Sequence, residues 1–180
     1  MSDLIVRTYD GCGAAALTEK VVGLYAAVFA EPPYAEGPED VEDFRDLLAI
    51  EIPQPGFRLV TAEVDGELVG FAYAYSLREA TRWWEDITPS PAPEVTAERD
   101  GRTFAVKELA VAAPYRRKGI GRRLHGVLLA RRSEERATLT VRPDAAPALA
   151  AYESWNWSQL GVIRPGGGEI TYVVMVRSLP

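Results

Sequence analysis

Two groups of residues in this chain have the types and spacing to do chemistry. The first is Glu108, in the run Phe104–Ala112, which is apolar on both faces apart from Lys107 and Glu108. An unpaired charge is costly to bury. Glu108 is therefore either a proton acceptor kept for use or one half of a strand-end salt bridge. The second group is the turn that follows, Arg116-Arg117-Lys118-Gly119-Ile120-Gly121-Arg122-Arg123. Ile120, Leu124, Val127 and Leu128 then recur on one face of a helix. A helix N-terminus carries partial positive charge and free N–H groups, so acidic residues normally sit there. Here the helix start and the turn before it hold four arginines and one lysine. That arrangement is unfavourable unless an anion occupies it, and a phosphate satisfies both the N–H groups and the side chains. Gly119 and Gly121 let the backbone approach such a phosphate closely. The plainer alternative is a solvated basic helix start with glycines for turn geometry.

The elements that position these groups can be read along the chain. Leu4–Tyr9 reads as a strand, and Ala14–Ala30 as a helix ended by Pro32-Pro33. Pro38 precedes an acidic helix with Val41, Phe44, Leu47 and Leu48 on one face. Phe57–Val64 and Glu67–Ser76 flank Asp65-Gly66 and predict a hairpin with a two-residue turn. The second strand is large on one face (Val69, Phe71, Tyr73, Tyr75) and small on the other (Gly70, Ala72, Ala74, Ser76). Arg78–Arg102 is irregular, with Trp83-Trp84 and three prolines, and a loop of that length is usually functional or mobile. A strand over Thr138–Arg142, a loop and helix start over Pro143–Glu153 and a hairpin of Trp157–Ile163 with Ile170–Arg177 complete the chain. The expected fold is α/β, a mixed, mostly antiparallel central sheet flanked by helices, in one domain over 1–180.

Composition narrows the function. The net charge of −6 argues against a general nucleic-acid binder, although the Arg116–Arg123 patch is locally basic. Cys12 is the only cysteine, which excludes an intrachain disulfide and a thiolate zinc cluster, and no metal is expected. No signal peptide or membrane span is read, so the expected location is cytoplasmic, with no membrane partner. The turn lacks the P-loop pattern and the third glycine of a dinucleotide fingerprint, where Leu124 stands instead. His125 and Cys12 have no partner suggested by spacing, and His125 is expected at the surface or on the cofactor side. Arg131, Arg132 and Arg136 read as a solvated helix end. Trp83-Trp84 reads as an acceptor-pocket wall, a hydrophobic plug or a dimer contact.

Arg116-Arg117-Lys118-Gly119-Ile120-Gly121 matches the pattern [RQ]-x-x-G-x-[GA], entered by the strand Glu108-Leu109-Ala110-Val111. Downstream, Ala148-Leu149-Ala150-Ala151-Tyr152-Glu153 is followed by Asn156-Trp157. Together these motifs resemble the GNAT superfamily of acyl-CoA-dependent N-acetyltransferases. Two departures stand out. Ala145 replaces a common asparagine, and Asn156-Trp157 replaces a common Gly-Phe. Asn is the next best residue after Gly at a left-handed helix end, so the second departure is mild.

The resemblance implies a splayed strand pair that receives acetyl-CoA as acyl donor. Leu109, Ala110 and Val111 would line the cofactor, with backbone groups of Leu109 and Val111 pairing with the pantetheine. Arg116, Arg117, Lys118, Gly119, Ile120, Gly121 and Arg122 would hold the pyrophosphate. A backbone N–H near Val111 would stabilise the developing oxyanion, and a primary amine would attack directly in a ternary complex. Glu108 would take the amine's proton, directly or through water. Tyr152 matches the position of a tyrosine that protonates the leaving thiolate, or else is a core tyrosine. The acceptor is expected to be an amine of a small molecule or peptide. The acidic Glu31–Asp46 region suits a cationic amine if it is not simply a solvated face. Two other readings stay open, a catalytically silent acyl-CoA-binding sensor or interaction domain and an anion binder. Association as a homodimer is also left open.

Overall fold

A computed structural model describes residues 3–180. In chain order its elements are β1 (Leu4–Tyr9), α1 (Gly11–Ala15), α2 (Thr18–Phe29), α3 (Pro38–Glu51), β2 (Arg58–Val64), β3 (Glu67–Ser76), α4 (Pro93–Thr96), β4 (Thr103–Val111), α5 (Ile120–Leu129), β5 (Arg136–Val141), α6 (Ala146–Ser154), β6 (Ser158–Ile163) and β7 (Tyr172–Ser178). The seven strands form one sheet in the order β1-β2-β3-β4-β5-β7-β6. β4 and β5 pair in parallel, whereas β1–β2, β2–β3, β5–β7 and β7–β6 are antiparallel. This is the mixed, mostly antiparallel sheet flanked by helices that the residue pattern predicts. The β4–β5 ladder covers Thr103–Ala105 against Arg136–Thr138, and β4 then runs on to Val111. By its contacts the chain divides into two compact units, Met1–Tyr75 with Val106–Arg131, and Ser76–Ala105 with Arg132–Pro180.

In the first unit the hairpin turn is as the sequence requires. Asp65 and Gly66 both have positive φ (51° and 83°), the conformation that a two-residue turn demands. The large face of β3 meets α2 and α3 in a core of Tyr25, Phe29, Phe44, Leu48, Phe57, Phe71 and Tyr73. Tyr25 stacks on Phe44 with ring centroids 3.7 Å apart. The small face of β3 admits α5. A methyl group on Gly70 would lie 3.0 Å from Leu124 Cδ1 and 3.1 Å from the Ala110 carbonyl oxygen.

The predicted single helix at 14–30 is two helices. Asp10 caps a first turn by accepting from the Gly13 N–H at 2.9 Å. The chain then restarts at Thr18, whose hydroxyl donates to the Ala15 carbonyl at 3.0 Å. Gly11 and Gly13 favour a short, capped piece over a continued helix. His125 also differs from expectation. It lies on the inner face of α5 and is 3% exposed, so it is a core residue.

In the second unit the irregular stretch is pinned down. Trp83 Nε1 donates to Thr138 Oγ1 at 3.0 Å, and Trp84 Nε1 to Glu98 Oε2 at 3.0 Å. Thr88 and Val162 exchange backbone hydrogen bonds at 2.9 Å. Gly161 permits that approach, since a methyl group there would meet Ile87 Cγ2 at 2.6 Å. The tryptophans are therefore packed, hydrogen-bonded anchors. Arg132 and Arg136 are not solvated. The Arg132 guanidinium covers the Phe104 ring at 3.8 Å and pairs with buried Glu134, which also accepts from Ser76. Burial alone would raise the Glu134 carboxyl, but the bonds from Arg132 and Ser76 hold it below its ordinary value. Arg136 lies 4.4 Å over Trp84 and donates to Thr103 Oγ1 at 2.8 Å.

Candidate active site

β4 delivers Lys107 and Glu108, then Leu109–Val111, directly into the basic turn. Pro114 ends the ladder, and a single turn of 3-10 helix, Ala113–Tyr115, leads to Arg116. Gly119 caps α5 with φ +80°, and open space surrounds the position of its missing Cβ. Arg117 also takes a positive φ, 62°. The first turn of α5 carries no acidic residue. Arg117, Lys118, Gly119, Arg122 and Arg123 are exposed. Arg117, Arg122 and Arg123 have no acidic partner among the described residues, whereas Lys118 lies 5.3 Å over the Tyr115 ring. Unpaired cations beside a bare helix N-terminus fit the phosphates of an acyl-CoA.

Arg116 behaves differently from its neighbours. Its Nη1 pairs with Glu31 Oε2 at 2.6 Å and its Nε donates to the Val111 carbonyl at 2.9 Å. It braces the end of β4 rather than presenting a free charge. The Val111 carbonyl is accordingly already in use.

Glu108 makes no side-chain hydrogen bond to a described residue. It keeps some solvent access yet lies deep among protein atoms. Burial is the main cause that pushes its carboxyl up, to about 8. Lys107 opposes the rise, while Glu36 and Glu51 add to it. Tyr25 and Tyr73 surround the same spot, and both hydroxyls are raised by burial first and by the Glu108 charge second. Glu36 adds to the rise of Tyr25, and one of its carboxylate oxygens is shielded from solvent. A carboxyl of this kind is mostly neutral near neutral pH and, once ionised, a stronger base than an ordinary carboxylate.

Several of these partners were not legible in the sequence as site residues. Glu51 was hidden as the last residue of an acidic helix, and Tyr25 and Tyr73 as parts of apolar stripes. The acidic helix face itself is solvated, since Glu39, Asp40, Glu42, Asp43 and Asp46 are all exposed. Asp40 caps the helix by accepting from the Gly37 N–H at 2.7 Å.

Tyr152 belongs to the second unit, in the last turn of α6, three residues before the cap residue Trp155. Asn156 adopts φ 63°, the left-handed end its residue type predicts. The Trp157 N–H donates to the Tyr152 carbonyl and the Asn156 N–H to the Glu153 carbonyl, each at 3.1 Å. This is a Schellman closure, and its hydrophobic contact is Tyr152 against Trp157, at 5.9 Å between ring centroids. Trp155 meets the Tyr152 ring edge-on at 5.7 Å. The helix end thus fixes the Tyr152 ring between two indoles. Cys12 is exposed and lies on a separate surface hollow with Asp10, Ile52 and Phe57. No cluster able to hold a metal ion occurs among the described residues. None of their helices is long and apolar enough to cross a membrane.

Comparison with known proteins shows the fold and the family. No curated protein matches the chain in sequence. Among solved structures it resembles the ribosomal-protein-S18-alanine N-acetyltransferase of Escherichia coli, with TM-score 0.68, 15% identity, and coverage of 98% of this chain and 94% of that one. It also resembles NAA60 of Arabidopsis thaliana in complex with a bisubstrate analogue, with TM-score 0.67, 14% identity, and coverage of 99% and 100%. A third similar structure is aminoglycoside 6'-acetyltransferase type Ii, with TM-score 0.67, 19% identity, and coverage of 98% of both chains. At these identities the structures show a shared fold. The sequence itself matches the acetyltransferase (GNAT) family over residues 14–157, so the chain belongs to that family of acyltransferases.

Proposed function

We propose that this protein transfers an acetyl group from acetyl-CoA to a primary amine of a small molecule or peptide, with Glu108 as the base. The observation that carries this reading is the Glu108 carboxyl, deep, without a hydrogen bond among the described residues and raised to about 8, on the strand that runs straight into the basic turn. Acetyl-CoA would supply the thioester carbon that the amine attacks. Arg117, Lys118 and Arg122 with the N–H groups at the start of α5 hold the phosphates, and Gly119, Ile120 and Gly121 give them close backbone approach. Leu109, Ala110 and Val111 orient the pantetheine arm along β4, and a backbone N–H near Val111 faces the charge that develops on the carbonyl oxygen.

Glu108 accepts the amine's proton, directly or through one water, which leaves the nitrogen lone pair free to form the new C–N bond. Tyr152 gives a proton to the sulfur as the C–S bond breaks. Its fixed ring between Trp155 and Trp157 supports that role, because a positioned acid need not reorganise. Arg116 acts through the loop, as a brace. The family match runs through both units, which supports reading 1–180 as one N-acetyltransferase domain.

The names of the similar structures span a protein alanine and an aminoglycoside, and both kinds of acceptor belong in the test. The test is release of CoA from acetyl-CoA in the presence of a panel of primary amines and peptides. Amine-dependent release supports the reading. Tight acetyl-CoA binding with no release from any acceptor points instead to a silent acyl-CoA-binding domain.

A further inference from the structure

Glu51 closes α3 and is 3% exposed, an unusual depth for a carboxylate. Both of its oxygens are engaged. Oε2 accepts from the Tyr73 hydroxyl at 2.6 Å, and Oε1 lies 3.0 Å from Lys107 Nζ. The Lys107 ammonium also sits 5.8 Å from the centre of the Tyr75 ring. Burial, the largest influence, pulls this ammonium down, yet Glu51, Tyr75 and Glu108 together outweigh it and keep the ammonium above its ordinary value. Lys107 is the residue immediately before Glu108 on β4. The two side chains feel each other's charge, but it is Glu51 that holds the cation in an ion pair.

The titratable groups that share charge influence with Glu108 come from several elements. They are Tyr25 on α2, Glu36 ahead of α3, Glu51 at the end of α3, Tyr73 on β3 and Lys107 on β4. Only Lys107 among them is cationic. The availability of Glu108 for proton transfer therefore turns on where that single positive charge rests.

We propose that Glu51 is a positioning residue for the transfer reaction: it binds the Lys107 ammonium to its own buried carboxylate and so keeps Glu108 out of a salt bridge and able to take a proton. This rests on Glu108 being the base. With Glu51 neutralised, Glu108 is the acidic group that remains to attract the buried ammonium. Pairing with Glu108 would favour the ionised carboxylate and weaken it as a proton acceptor. With Lys107 neutralised, only negative charge surrounds Glu108, and it holds its proton more tightly.

The experiment is carbon-13 NMR of the ligand-free full chain labelled at glutamate. The Glu108 side-chain signal is identified by its loss in Glu108→Gln. It is then followed from about pH 5 to about pH 10 in wild type, Glu51→Gln and Lys107→Met. The titration midpoint should fall by about one unit or more in Glu51→Gln and rise in Lys107→Met. Loss of a single charge already moves the midpoint in these directions, so the effect of Glu51→Gln is read again in the Lys107→Met background. Positioning predicts that most of the fall disappears there, and an equal fall in both backgrounds overturns the proposal. An unmoved midpoint in Glu51→Gln, or shifts in the same direction in both variants, overturns the proposal. Should Glu51→Gln not fold, Glu51→Asp takes its place: it keeps the charge but shortens the reach to Lys107, and an unmoved midpoint there overturns the proposal. Acetyl transfer by Glu108→Gln tests the base separately. Full activity in that variant removes the reading beneath the proposal but leaves the titration result intact.

Discussion

Arg116 and Glu31 are joined at 2.6 Å, and the same guanidinium donates to the Val111 carbonyl. The first cation of the basic turn thus ties the end of β4 to the segment after α2. Charge for an incoming anion remains on Arg117, Lys118 and Arg122. Arg122→Ala should weaken acetyl-CoA binding about tenfold, as expected for the loss of one charge-assisted contact, with little change in melting temperature. Calorimetric titration at low and high salt checks this, and the loss should shrink as salt rises. Arg116→Ala should instead lower the melting temperature as well, because it removes a brace.

Gly119 stands at φ +80° with open space around it. Gly119→Ala therefore meets no clash, and its cost is conformational, about 1–2 kcal/mol. Thermal unfolding should show a drop of a few degrees, and acetyl-CoA affinity should fall with it as the turn relaxes.

Gly70 is the opposite case, limited by space. A methyl group there meets Leu124 and the Ala110 carbonyl oxygen at 3.0 and 3.1 Å. Gly70→Ala should cost about 1–3 kcal/mol, because α5 must move away from the sheet. Denaturant unfolding would show this as a lower midpoint with an unchanged slope.

Much of this architecture was legible in the residue pattern, for identifiable reasons. The Asp65-Gly66 turn, the small face of β3 and the asparagine at the end of α6 each follow from local sterics, and a single sequence carries local sterics well. The basic turn was legible because its charges run against the helix dipole. The surroundings of Glu108 were not. Glu51, Tyr25 and Tyr73 lie far from it in sequence, and only the packing of α2 and α3 on the sheet makes them its neighbours. Arg132, Arg136 and His125 misled for a related reason. Their burial is set by Phe104, Trp84 and the inner face of α5, which no local pattern around an arginine or a histidine reveals.

Glu108 also links pH to stability. Its carboxyl is raised to about 8 in the folded protein, above its ordinary value of 4.5. The folded state therefore binds more protons than the unfolded state between these values, and stability falls as pH rises through that window. Glu108→Gln removes this cost. Its melting temperature should exceed that of wild type by several degrees near pH 9 and match it near pH 5, about the two ends of the window. Equal melting curves at both values would show that the carboxyl is not held in this way. A variant that gains stability while losing activity is what a base kept in an unfavourable place should produce.

The most direct measurement is the rate of amine-dependent CoA release in wild type, Glu108→Gln and Tyr152→Phe, followed against pH with the best acceptor from the panel. The wild-type kcat/KM should rise as pH passes through about 8, where Glu108 ionises. Glu108→Gln should lower the rate about a hundredfold or more and abolish that rise. Tyr152→Phe should lower kcat while leaving acetyl-CoA affinity nearly intact. A Glu108→Gln enzyme with the wild-type rate and pH profile would contradict the central claim that this carboxylate accepts the proton of the attacking amine.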